Sequence, residues 1–451
     1  MKKNLYILME ITSRELDANL ILIIFSLKKN FNVLLGDSST FRFLLKKKML
    51  LPGIVLTKSI THGKKKSELH DEFKSQGFIL TSIDHEHGVL DSLEIYKNFF
   101  IKSRVDKKEL EKFDAFFCWG DYDYKNLIKC YPFFKNRFFL TGSNRVDAWK
   151  NAKPQVSIKD NTKRVSIFSN FAFSNNKFSE KKIFSLKKEA GYYKRCPELL
   201  TQERLFLNYQ KKLIKKFVNL VNFLVTKYPN YKFLFKPHPT ENKNFWEKKL
   251  LNSKNLKILS QENSVSLIKA SDLIIQSRCT TSVEATINSI NHINFIPVNG
   301  KHGFAKFVDK ISNNAKNKSE VVRLINYLMF SKKKDLKKIK KLNKRVLFKN
   351  KIPSSEKMSL VFKNLSKKIN HNKFQIFFHI KIYLFFYELY YDLKSNFYNF
   401  LYSYKNINKY KFEVFNKEKL YNEILRYSKI YKFNKEIRVR KLGKRFWLFE
   451  N

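Results

Sequence analysis

The sequence predicts an α/β chain: two Rossmann-like, doubly wound domains facing a cleft, followed by a basic, aromatic, mainly helical C-terminal extension. Three observations carry this. Short apolar runs alternate with longer amphipathic or charged stretches over the first 330 residues, the pattern of parallel strands covered by helices on both faces. The alternation lapses in a Lys/Pro/Gln-containing stretch near 151–163 and then restarts. The charge also shifts near residue 331: Ser331 to Asn451 hold 32 Lys+Arg against 9 Asp+Glu, a balance of +23 out of +51 for the whole chain. The expected domains are therefore 1–150, 163–330 and 331–451.

In the first domain, Asn4 to Met9 is an apolar run that reads as a buried strand. The polar "EITSRELD" and the mostly apolar helix "ANLILIIFSLKK" follow it. "FNVLLGD" is the next strand, with Gly36 punctuating its end, and "GIVLTK", "GFILTSID" and "AFFCWG" continue the series. The second domain opens on "RVSIFSNF" and a polar insertion reaching about Gln202. A helix over 205–227 and the turn and strand of "YPNYKFLFKPHP" come next, then "NLKILS", "DLIIQS" and "HINFIPV". Ligands of such sheets lie beyond the carboxyl ends of the strands. The polar residues just after each run are therefore the candidates: Arg14, Glu15 and Asp17; Asp84 and Glu86; Asp121 and Asp123; Asn144, Arg145 and Asp147.

Composition bounds the chemistry. With 43% hydrophobic residues the chain can bury sizeable cores, so wholesale disorder is excluded. The +51 charge points to a polyanion, whether nucleic acid, an anionic membrane or a phosphorylated substrate. It also fits the Lys, Asn, Ile, Phe and Tyr bias of an AT-rich genome, so charge alone assigns nothing. Cys118, Cys130, Cys196 and Cys279 lie far apart without a C-x-x-C pair, which fits a reducing cytoplasm better than a zinc ribbon or disulfide framework. The opening "LYILM" is too short for an export signal. The longest apolar stretch, Phe374 to Leu393, is interrupted by His379, Lys381 and Glu388, so no spanning helix is expected.

The stretch "FKPHPTEN" holds His238 between Pro237 and Pro239 at the end of the strand "YKFLF". Two fixed φ angles hold the loop in one shape and lower the entropy cost of placing the imidazole. Lys236 and His238 there suit a phosphate oxygen, one as a point charge and the other as a hydrogen-bond donor. A second constellation lies in "SDLIIQSRCTTSVEATINS": a strand, then the polar loop Ser277 to Ser282, then a helix start. Its hydroxyls and backbone N–H groups make an anion site, and Glu284 in the first helical turn is within reach of a ribose hydroxyl. Ordinary N-capping accounts for one hydroxyl, not for a run of polar residues. There is no G-x-G-x-x-G or G-x-x-x-x-G-K loop, which argues against an ATP-driven motor. Arg14 could hold an acceptor's carboxylate or phosphate, with Glu15 and Asp17 beside it; the plainer reading is a helix start with Ser13 as N-cap.

The K-P-H-P strand end, the later S-x-x-T-[ST]-x-x-E-A element (Ser277, Thr280, Thr281, Glu284), "EITSRELDANL" and "TGSNRVDAW" together resemble the GT-B-fold glycosyltransferases of bacterial surface polysaccharide biosynthesis. These are akin to sialyltransferases, Kdo transferases and CDP-glycerol glycerophosphotransferases. The likeness covers about residues 1–298. It implies that His238 and the hydroxyls of Ser277, Thr280, Thr281 and Ser282 hold the phosphate of a CMP- or CDP-activated donor. It also implies a general base in "SIDHEHGVLD", where Asp84 and Glu86 stand among histidines and neither is preferred. The His85/His87 alternation permits a metal, yet no further ligand cluster accompanies it, so no metal or other cofactor is expected.

The function so implied is transfer of a sugar or polyol phosphate to a glycan or lipid-linked acceptor, in the cytoplasm or at the inner face of the membrane. An RNA- or polyanion-binding protein is the rival, although no RNP-like or G-x-x-G module is present and no specific nucleic acid is expected. A nucleotide-sugar epimerase of the same fold is the third reading. The extension, with "KKKDLKKIKKLNKR" and its aromatic run, reads as helices packed on the first domain, as an element at an anionic membrane surface, or as a nucleic-acid arm.

Overall fold

The computed structural model describes residues 2–61, 63–85, 96–101, 104–154, 162–259, 262–300, 306–331, 335–369, 376–402 and 416–451. They fall into two compact units. One takes the described residues of Met1–His85, Arg104–Ala148 and Leu347–Asn451, the other those of Glu86–Ser103 and Trp149–Val346.

The chain begins β1 (Lys3–Leu8), α1 (Thr12–Lys28), β2 (Phe31–Gly36), α2 (Ser38–Lys46), β3 (Ile54–Thr57), α3 (Lys64–Ser75) and β4 (Ile79–Ile83). It continues through α4 (Lys107–Lys112), β5 (Ala115–Cys118), α5 (Asp121–Cys130), β6 (Phe138–Leu140) and α6 (Asn144–Asn151). β1 is buried along almost its whole length, as a strand covered on both faces must be. α1 stops because Asn30 takes a left-handed φ of 66°, a frequent helix end. α2 starts where the Asp37 carboxylate accepts the Thr40 N–H at 2.7 Å. The expectation that Ser13 caps α1 is not met. The helix starts two residues earlier with Ile11 in the cap position, and Glu15 Oε2 instead takes the Glu10 N–H at 2.9 Å.

The second unit runs β7 (Arg164–Phe168), α7 (Glu180–Glu189), α8 (Tyr192–Arg195), α9 (Glu198–Lys227), β8 (Lys232–Lys236), α10 (Lys243–Lys249) and β9 (Leu256–Ile258). α11 (Ser264–Lys269), β10 (Leu273–Gln276), α12 (Thr281–Ile287), β11 (Asn291–Phe295), β12 (Asn313–Ala315), α13 (Lys318–Leu328) and α14 (Leu336–Arg345) complete it. All strands are parallel, in the order β12-β11-β10-β7-β8-β9. The order reverses between β7 and β10. α9 covers one face of this sheet with Leu213, Phe217, Leu220 and Leu224, packed among Phe233, Phe235 and Trp246.

The last segment is mainly helical, as expected, but it is not a separate piece. α14 belongs to the second unit, and from Leu347 onward the chain is part of the first. α15 (Ser354–Ser366) and α17 (Lys417–Ile430) pack on α1, with α16 (Phe377–Tyr402) between them in sequence. β13 (Arg438–Gly443) and β14 (Phe446–Glu450) then form a hairpin at the edge of the sheet, whose order is β13-β14-β2-β1-β3-β4-β5-β6. β14 runs antiparallel to β2, with Phe446 opposite Gly36. A Cβ on Gly36 would lie 2.4 Å from the Phe446 ring, so the glycine that ends β2 leaves room for the returning strand. The hairpin escaped the sequence reading because its exposed face carries Arg438 and Arg440, which hide the alternation with buried Val439 and Leu442.

Candidate functional site

In the second unit the loops after β7, β8 and β10 all leave the carboxyl ends of strands around the reversal point, where open α/β sheets bind ligands. β8 ends on Lys236, which is buried, and its carbonyl accepts the Ser169 N–H at 3.2 Å. His238 follows, half-buried. Its backbone N–H donates to Ser169 Oγ at 3.2 Å, and its Nδ1 lies 2.8 Å from Thr240 Oγ1. Nδ1 also accepts the Thr240 backbone N–H at 3.3 Å, which assigns the ring proton to Nε2. Pro237 and Pro239 thus flank an imidazole whose Nδ1 is engaged by Thr240 and whose Nε2 carries the ring proton.

A buried carboxylate ties these loops together. Glu241 accepts from Ser169 Oγ (2.6 Å), the Phe171 N–H (2.6 Å) and Trp246 Nε1 (2.7 Å), and its own N–H donates to the His238 carbonyl (2.9 Å). Burial pushes its carboxyl up to about 7, against the donated hydrogen bonds that favour the charged form. Glu241 sits inside the quoted "FKPHPTEN" and went unnoticed beside the histidine. A carboxylate three residues past a half-buried His at a strand end was the available signal.

After β10, Ser277 is buried and its Oγ has no hydrogen-bond partner among the described residues. Arg278 adopts a left-handed φ of 45° and pairs with Asp309 through Nη2 at 2.9 Å and Nε at 3.1 Å, so its charge is already committed. Gln276 Oε1 accepts the Cys279 N–H at 2.5 Å, folding the loop back on the strand. Thr280 is exposed, whereas Thr281, Ser282 and Glu284 are buried. Ser282 Oγ accepts from Ser312 Oγ at 3.3 Å. Of the predicted run, Thr280 is exposed, whereas Ser277, Thr281 and Ser282 are buried.

The first sheet reverses between β1 and β3, and a second polar cluster lies at that point. Lys58, just after β3, is buried between Glu10 (3.0 Å) and Glu15 (3.1 Å). Lys66 donates to Ser59 Oγ (2.7 Å) and Thr61 Oγ1 (3.0 Å); burial lowers its pKa, with Arg104 and Lys58 adding to the shift. Asp84 follows β4 and is held by Arg104 through two bonds, Nε to Oδ2 at 2.6 Å and Nη2 to Oδ1 at 2.7 Å. Lys58, Lys66 and Arg104 are the residues sequence reasoning missed here, because none lies in a motif.

The remaining predicted residues separate. Arg14 is exposed on α1 and Glu15 belongs to the Lys58 cluster. Asp17 faces the opposite way, toward Glu423, Arg426 and Tyr427 of α17. Burial, then Glu423, raises its pKa, while Arg426 opposes. Asp147 accepts the N–H groups of Ser354 (3.1 Å) and Ser355 (2.7 Å) and so starts α15 rather than meeting a ligand. Trp119 is core, its Nε1 donating to the Asp84 carbonyl at 3.0 Å. Glu86 and His87 lie outside the described residues. Among the described residues no His/Cys/Asp/Glu group could hold a metal ion.

No known family profile matches the chain, and no curated protein matches it. Solved structures do. MnaA of S. aureus, solved with UDP, is 12% identical over 83% of this chain and 100% of its own, at a TM-score of 0.50. The UDP-GlcNAc 2-epimerase of Methanocaldococcus jannaschii, solved with UDP-GlcNAc and UDP, is 14% identical over 81% of this chain and 100% of its own, also at 0.50. At such identities the likeness is one of fold. The chain has a GT-B-like fold, and the particular transferase families that its motifs resemble are not singled out.

Proposed function

We propose that this chain is an enzyme acting on a nucleotide-activated sugar in surface-carbohydrate synthesis, with the nucleotide phosphate held by the second unit. One observation carries the reading: the loops after β7, β8 and β10 present His238 and Ser277 at the reversal point of a parallel sheet. Hydrogen-bond donors at that point stabilise the charge of a phosphate leaving group.

The reaction favoured is transfer from a cytidine nucleotide to a glycan or lipid-linked acceptor. An acceptor oxygen bonds to the anomeric carbon, the bond from that carbon to the nucleotide phosphate breaks, and a base takes the acceptor's proton. Both Asp84 oxygens are engaged by Arg104, so Glu86 is the carboxylate to test first as that base. A second reading, epimerisation of a UDP-sugar, is supported by the likeness in fold to the M. jannaschii UDP-GlcNAc 2-epimerase and to the UDP-bound MnaA.

The test is a thermal-shift panel of CMP, CDP, UDP and ADP on the chain and on His238→Ala. A cytidine-selective rise in Tm that His238→Ala loses supports the transferase; a UDP-selective rise supports the epimerase. No shift with any nucleotide, or equal shifts in the variant, refutes the assignment of the phosphate site.

A further inference from the structure

α16 is apolar on two opposite sides, and only one of them is packed. Phe377, Ile380 and Leu384 are buried and Tyr387 is half-buried, a spacing that makes one side of a helix. That side lies on the terminal hairpin and α2. Glu388 accepts the Lys444 N–H at 2.5 Å, and Tyr387 stacks on Phe43 with ring centroids 3.9 Å apart. At the same helical spacing, Phe378, Ile382, Phe385, Leu389 and Leu393 fall on the other side and are exposed, Phe378 by 67% and Phe385 by 63%. An apolar helix is ordinarily covered all round, and soluble surfaces seldom carry so continuous a patch.

The surroundings of this stripe are basic. Lys46, Lys47 and Lys48 are exposed about one turn beyond Phe43, and none makes an ion pair with a described residue. Lys381 is exposed on α16 itself, and Arg438 and Lys441 are exposed on β13, the strand that packs against it. No described helix is long and apolar enough to cross a membrane.

We propose that the outer side of α16, with the lysines at the end of α2, lies on an anionic lipid surface. A bilayer interface accepts aliphatic and aromatic side chains to a depth of about 5–10 Å beneath the headgroups and meets the flanking lysines with negative charge. A second copy of this chain fits less well, because pairing two stripes would bring two sets of unpaired lysines together on molecules each carrying +51. Single-stranded nucleic acid fits less well too, since Ile382, Leu389 and Leu393 offer no ring for a base to stack on. The proposal is independent of the nucleotide reading above.

The experiment is flotation of the full chain with vesicles of phosphatidylcholine alone, or of phosphatidylcholine and phosphatidylglycerol in equal parts, at low and high salt. The expected result is flotation with the anionic vesicles at low salt, several-fold weaker with neutral vesicles or high salt. Phe385→Ser with Leu389→Ser should abolish it at an unchanged melting temperature. Should that pair lower the melting temperature, Lys46→Glu with Lys47→Glu and Lys48→Glu, all exposed, carries the test, and must also lose flotation. No flotation, equal flotation with neutral vesicles, or wild-type flotation by the variants overturns the proposal. A dimer in sedimentation, or retention of single-stranded RNA, that the Phe385/Leu389 pair abolishes while lipid binding persists also overturns it, and assigns the stripe to that partner.

Discussion

Replacing Glu241 by Gln should change the pH dependence of stability in a direction that can be worked out in advance. Glu241 offers two oxygens to three donors: Phe171 N–H on one, Ser169 Oγ and Trp246 Nε1 on the other. Glutamine keeps one oxygen, so its NH2 meets either Phe171 N–H or Trp246 Nε1–H. One buried donor left without an acceptor costs about 1–3 kcal/mol. The second effect is proton linkage. Burial raises the carboxyl from 4.5 to about 7, so between those values the folded state binds more protons than the unfolded one. Wild-type stability from this site is then fully present below pH 4.5 and lost as pH rises through 7. The loss is about 3 kcal/mol at roughly 1.4 kcal/mol per unit. Glutamine has no such dependence. The variant should therefore be the less stable protein near pH 4.5, with the gap narrowing or reversing by pH 8. Urea unfolding of both proteins across that range measures the gap, and the Trp246 indole N–H resonance reads the titration directly. A gap that widens with pH, or a resonance that titrates near 4.5, would refute the reasoning and show that the three donors outweigh burial.

Two further outcomes concern the first unit. Asp84→Asn breaks the two-pronged pair with Arg104, whose side chains are 2% and 13% exposed, and should cost about 3–5 kcal/mol in denaturant unfolding; lost turnover at full stability would instead make Asp84 a catalytic group. Gly142→Ala puts a side chain at a φ of +80° and a Cβ 2.3 Å from Ser354 Oγ, and should cost about 1–3 kcal/mol; an unchanged Tm would contradict the close approach of α15.

Much of the layout is legible in the sequence because parallel strands buried on both faces leave unbroken apolar runs. "FNVLLG", "LIIQ" and "NHINF" are strands as read. β6 and β12, three residues each, are too short to leave a pattern, and "NNA" has no apolar run. His238 was legible because two prolines mark it, and Ser277 because it ends a strand. Lys58, Lys66, Arg104 and Glu241 were not, since their roles depend on partners brought close by folding: Arg104 meets Asp84 from 20 positions away, and Ser169 meets Glu241 from 72. Asp147 illustrates the converse error. It follows a strand like a ligand residue, yet serves the start of a helix more than 200 positions later.

The hairpin beside β2 has a consequence for how the molecule is made. Phe449 pairs with Val33, and Lys2 Nζ lies 3.1 Å from Asn451 Oδ1, so contacts across more than 400 positions close this edge of the first sheet. By contrast, every strand of the second sheet lies between Arg164 and Ala315. During synthesis, therefore, the strands of the second sheet are all made while β2 still lacks its β14 neighbour. Contacts of such long sequence separation form slowly, and an unpaired edge is open to other strands meanwhile. Until Phe446–Glu450 are made, the nascent chain carries an unpaired β2 edge.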